Sequence, residues 1–100
     1  MIPQIIFRPA AVDDVVEAAA WYEAHVPGLG EELVSEILRA TKRAQANPEL
    51  FRILRSDGQV RRVLTERFPY RIFFSLVGDT LFVHAVLHGA RHDGRWRERR

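Results

Sequence analysis

The chain has 100 residues, 47% of them hydrophobic and 28% charged, and it contains no cysteine. Length and composition describe one folded domain and exclude disulfide frameworks, thiolate zinc sites and cysteine nucleophiles. The formal net charge of +2 hides a split: residues 1–50 carry four basic side chains against eight acidic ones, whereas residues 51–100 carry eleven arginines against five acids.

Ile2 to Phe7 is a short apolar run closed by Arg8-Pro9 and predicts a first strand. Pro9 suits the first turn of a helix, where its missing N–H costs nothing. From Ala10 to about His25, Val12, Val15, Val16, Ala19 and Tyr22 recur at helical spacing. Asp13, Asp14 and Glu17 lie early in this segment, at the positive end of a helix dipole. Pro27-Gly28 breaks it. A second helix is expected from about Leu29 to Ala46, burying Leu33, Ile37, Leu38, Thr41 and Ala44. Its carboxylates Glu31, Glu32 and Glu36 come early and its cations Arg39, Lys42 and Arg43 late, the order the dipole prefers. Asn47-Pro48 ends it, and the short link makes the pair an antiparallel hairpin.

Leu50 to Gly58 reads as a polar connection carrying Arg52 and Arg55. Three strands are predicted after it: Gln59–Thr65, Tyr70–Val77 and Thr80–His88. Gly78-Asp79 is a tight hairpin signal between the last two. The tail from Gly89 to Arg100 is rich in arginine and holds one large aromatic, Trp96. The expected architecture is α+β in the order β-α-α-β-β-β. A helical hairpin packs on one face of a mostly antiparallel four-stranded sheet, as a single domain over residues 1–100.

No apolar run approaches the roughly 18 to 20 residues of a membrane span, and no secretory signal pattern opens the chain. A cytoplasmic protein without membrane partners is expected. The basic second half points either to an acidic or polyanionic partner or to a compositional preference for arginine.

Several segments carry a resemblance when taken together. Pro27-Gly28-Leu29-Gly30 forms the turn of the hairpin and Asn47-Pro48 its end. Val60-Arg61-Arg62, Phe68-Pro69-Tyr70-Arg71-Ile72-Phe73-Phe74 and Val86-Leu87-His88-Gly89-Ala90-Arg91 follow. In that order the series resembles the RelE/ParE superfamily of toxins from bacterial type II toxin–antitoxin systems, nearer to its ParE-like members. The resemblance implies a compact toxin neutralised by a cognate antitoxin. It implies one of two targets, because ParE-like members inhibit DNA gyrase whereas RelE-like members cut mRNA on the ribosome. Fold alone does not choose between them.

Metal-free RNA cleavage needs a base, an acid and cations facing the phosphorane charge. The candidates for that chemistry are His88, Arg91 and Arg71, with His92 and either Arg61 or Arg62 beside them. His88 is the best acid–base group by its ordinary pKa, although a strand-end histidine bonded to backbone is the plainer reading. Arginine stays protonated and cannot act as an ordinary base. No tyrosine follows the last strand, and the segment just before the second carries Arg52 and Arg55 but no lysine, both departures from the nuclease pattern. His84 and His88 lie four apart on one strand, hence on one face and roughly 13 Å apart, too far for a metal pair. Neither a metal nor a cofactor is expected. The thin acid–base inventory favours a gyrase inhibitor, with a ribosome-dependent mRNA endoribonuclease as the alternative; a non-toxic nucleic-acid-binding module leaves the signature segments unexplained.

The expected partner-binding residues are Trp21, Arg61, Arg71, Arg91, Arg95 and Trp96. Arg61 and Arg62 are adjacent on a strand and point to opposite faces, one toward the helices and one toward an open face near Arg71. Ion pairing with Glu66 or the helix carboxylates is the plainer role for such arginines. Those of the tail outnumber the acids near them. Trp21 cannot share the azimuth of its neighbour Tyr22 on a helix, which puts it at the edge of the hairpin, bordering the antitoxin site. Trp96 either docks on the core or anchors a partner.

Overall fold

The computed structural model describes residues 4–55 and 59–89. In chain order they form β1 (Gln4–Phe7), α1 (Pro9–His25), α2 (Leu29–Ala46), β2 (Ile53–Arg55), β3 (Val60–Leu64), β4 (Tyr70–Val77) and β5 (Thr80–His88). The strands make one mixed sheet in the order β1-β5-β4-β3-β2. The two helices carry the chain from β1 to β2 at the far edge, and the antiparallel strands β2 to β5 return it until β5 lies parallel beside β1. The α+β class is as expected, but the sheet has five strands instead of four. The added strand, β2, lies in the segment read as a polar connection. It is three residues long and pairs irregularly with β3, so it carries too little alternation to be seen in sequence.

Pro9 opens α1 behind Arg8, whose carbonyl accepts the N–H groups of Ala11 and Val12. The face that α1 buries is Ala11 and Ala18, with Val15 and Tyr22 packed beside them. Val12 and Val16, expected inside, are 45% and 62% exposed. Small residues face inward because α1 lies close against both α2 and β5. At the hairpin a Cβ on Gly30 would meet the carbonyl oxygen of Ala19 at 2.6 Å. Gly28 caps α2 at φ +89°, a conformation that glycine adopts without Cβ strain. α2 buries Leu33, Ile37, Ala40, Thr41 and Ala44, whereas Leu38, expected in this stripe, is 46% exposed.

The main core lies between the helices and Val63, Ile72, Phe74, Leu81, Val83 and Val86 of the sheet. A second cluster, Val60, Phe73, Ala85 and Leu87 with Leu54 beside it, occupies the opposite face. These four side chains are buried, so the face expected to be open is apolar and covered where β3, β4 and β5 meet. The β4–β5 register slips by one residue between Phe73 and Phe74, leaving His84 as an extra residue on β5. The bulge changes which way the histidines point. His84 shares a 2.6 Å hydrogen bond with Ser75 on the face away from the helices, while His88 pairs with Tyr70 on the helix face. The expectation that His84 and His88 share a face is therefore overturned.

Candidate partner-binding site

Where α1 crosses the start of β4 and the end of β5, a pocket of ≈ 640 Å³ opens between helix and sheet. It is lined by Ala18 and Val86 together with Trp21, Tyr22, Tyr70 and His88. Asp14 and Glu17 stand on its rim, three residues apart and hence on neighbouring turns of one helix face. The geometry follows from local packing. The Tyr22 ring meets Phe68 edge-on at 5.1 Å and Tyr70 at 6.3 Å, and Tyr70 meets His88 at 5.5 Å. Asp14 Oδ2 accepts the backbone N–H of Val86 at 2.9 Å, fixing the helix to β5.

Trp21 is 59% exposed at the edge of the hairpin. It stacks on His25 at 4.1 Å, and His25 Nδ1 donates to the Trp21 carbonyl at 2.7 Å. A large aromatic is thus held in one orientation at the surface by its own helix. Its neighbour Tyr22 turns inward, as their difference in azimuth requires.

The expected arginines fall in different places. Arg61 faces the helix side near the β2 edge and donates through Nη1 to the carbonyl of Phe51 at 2.9 Å. Arg62 and Arg71 lie on the opposite face, where Arg71 pairs in register with Leu87 and Arg62 with Phe73. His88 and Arg71 are consequently on opposite sides of the sheet. Gly89 donates its N–H to the Pro69 carbonyl at 2.6 Å, a close backbone approach. Arg91, Arg95 and Trp96, with His92 and the remaining tail arginines, lie outside the described residues.

Arg43 and Arg67 also form ion pairs. Arg43 reaches Glu66 at 3.3 Å and the Leu64 carbonyl at 2.7 Å, and Arg67 meets Glu32 at 2.9 Å. Glu36, read in sequence only as a dipole partner, is buried and receives three donors. These are Arg39 Nη2 and the backbone N–H groups of Glu66 and Arg67. The Arg39 hydrogen bond, then the Arg67 N–H, hold its pKa below the ordinary glutamate value, against the opposing effect of burial. The Asp14 contact spans 72 residues of sequence and the two Glu36 contacts 30 and 31, which no local pattern announces.

Among the described residues no group of three metal-ligating side chains comes together, and no helix is long and apolar enough to cross a membrane.

Comparison with known proteins agrees with this architecture. The model of the family described as "ParE toxin of type II toxin-antitoxin system, parDE" matches residues 5–93. No curated protein sequence matches the chain significantly. Among solved structures, the chain is similar to the "Chromosomal ParDE TA system from P. aeruginosa", with a TM-score of 0.74 and 21% identity. That likeness covers 87% of this chain and 96% of the other, and at this identity it is a likeness of fold. With the family model spanning most of its length, the chain belongs to the ParE toxin family of type II toxin–antitoxin systems.

Proposed function

We propose that this toxin component inhibits DNA gyrase in the cytoplasm and is held inactive by a cognate antitoxin. Family membership supports the antitoxin partner. The observation that favours gyrase over mRNA is the β4–β5 register, in which Tyr70 pairs with His88 and Arg71 with Leu87. Metal-free RNA cleavage requires its acid–base group and its phosphate-binding cations to converge on one phosphate. Here His88 faces α1 and Arg71 faces away, so these two do not converge. His84, the histidine on the Arg71 side, is buried and engaged with Ser75. This arrangement of the described residues supports a chain that acts by binding its target over one that cuts RNA.

The test is a supercoiling assay with purified full-length protein and gyrase, run with and without the antitoxin. Inhibition, or accumulation of cleaved DNA, that antitoxin reverses is the expected result. No effect on gyrase at stoichiometric excess, together with site-specific transcript cleavage that His88→Ala abolishes, would establish the mRNA target instead.

A further inference from the structure

We infer that the pocket between α1 and β5 receives a guanidinium-bearing side chain of the antitoxin, with an apolar neighbour. This inference rests on the antitoxin reading and adds the seat and the chemistry of the contact. Three observations carry it. First, the pocket joins aromatic walls to a carboxylate rim: Trp21, Tyr22 and Tyr70 stand beside Asp14 and Glu17. A planar cation can stack on such rings while its N–H groups bond a carboxylate, which an ammonium does less well. Second, the rim is preset. Asp14 is held by the Val86 N–H, and Glu17, three residues on, is exposed, with its carboxylate about one helical turn away. Third, at ≈ 640 Å³ the pocket is of the size that holds a drug-sized ligand, room for more than one side chain.

Charge complementarity selects the occupant. Residues 1–50 have eight acids against four cations, and α1 itself, from Pro9 to His25, carries Asp13, Asp14, Glu17 and Glu23 without a lysine or arginine. Residues 51–100 have the opposite balance. A partner that covers both regions must change sign along its length, acidic toward the arginines and basic toward α1. An antitoxin made only of acids would be repelled at the Asp14–Glu17 rim.

The experiment uses the full-length toxin and its cognate antitoxin in titration calorimetry at two salt concentrations. Glu17→Lys is the diagnostic variant, because Glu17 is exposed and its replacement leaves the Asp14 tether intact. Glu31→Lys, the same charge change at the start of α2, is the control. Glu17→Lys is expected to weaken the complex at least tenfold and to reduce its salt dependence, with Glu31→Lys within twofold of wild type. An Arg→Glu change in the antitoxin should restore affinity for Glu17→Lys and for no other toxin variant. Equal affinity of wild type and Glu17→Lys, or failure of every antitoxin arginine to couple with position 17, overturns the inference while leaving the antitoxin partnership standing. A fall in the melting temperature of the free Glu17→Lys toxin without loss of antitoxin affinity also overturns it, since the cation would then come from the chain itself. If the wild-type toxin binds no antitoxin, the partnership and the inference both fail.

Discussion

The Glu36 carboxylate on α2 accepts the backbone N–H of Arg67 at 3.0 Å through the same oxygen that receives Glu66 N–H at 2.8 Å. This one buried side chain holds the β3–β4 turn against the helix, and Arg39 occupies its other oxygen. The turn carries Phe68, which fills the core against Tyr22. Removing the carboxylate would strand two backbone donors and loosen that ring together. Glu36→Ala is therefore expected to lower the melting temperature by several degrees, and Glu36→Gln by less, because the amide oxygen still accepts. Thermal unfolding of the three proteins at neutral pH checks this order. Equal melting temperatures would mean that the turn holds without its clamp.

The same contact predicts an acid-sensitive component of stability. Glu36 has a lower pKa folded than unfolded, so the unfolded chain takes up the proton more readily. Its contribution is complete above the unfolded value of about 4.3 and is lost as pH falls through the lower folded value. Melting temperature plotted against pH should fall below about pH 4.3 more steeply for wild type than for Glu36→Gln. Parallel acid limbs for the two proteins would assign the sensitivity to other carboxylates.

Close approach of the two helices sets a third expectation. A Cβ on Gly30 would lie 2.6 Å from the Ala19 carbonyl oxygen and 3.0 Å from Glu23 Oε1. Glu23 can swing aside, but it then gives up its bonds to the N–H groups of Gly28 and Gly30, and the carbonyl is backbone. Gly30→Ala should cost about 1–3 kcal/mol, the usual cost of overpacking. That outweighs the helix-propensity gain of about 1 kcal/mol that alanine otherwise brings. Urea denaturation should show a lower midpoint at unchanged slope. A more stable variant would show that the hairpin opens without strain.

Sequence pattern and structure agree where one local rule decides. α2 spans the expected Leu29–Ala46, because Gly28 and Asn47-Pro48 bound it and its charges follow the dipole. β4 and β5 have the expected ends, set by the Gly78-Asp79 turn, with Gly78 at φ +60°. Disagreement begins where packing partners decide. Val12 and Val16 fit a helical stripe as well as Ala11 and Ala18 do, and only the nearness of α2 and β5 selects the small residues. The bulge at His84 has no signature in an unbroken apolar strand, yet it reverses the relation of His84 to His88. The candidate site was legible as single residues, Trp21 above all. The pocket was not, because Asp14, Tyr70 and His88 meet only after the chain closes parallel β1 onto β5.

Trp21 gives the most direct separation of binding from folding. Its ring is 59% exposed, packs on His25 of its own helix and meets Tyr22 edge-on at 5.0 Å, so the core does not depend on it. Surface substitutions of this kind shift stability by about 0.5 kcal/mol or less. A tryptophan at the centre of an interface, by contrast, costs about 2 kcal/mol or more when truncated, which is roughly thirtyfold in affinity. Trp21→Ala should therefore melt with wild type while its complex with the antitoxin dissociates faster, since interface truncations act mainly on the off-rate. Surface plasmon resonance beside a thermal melt measures both. Unchanged dissociation would move the antitoxin interface away from this edge of α1. A large loss of melting temperature would instead make Trp21 a structural residue.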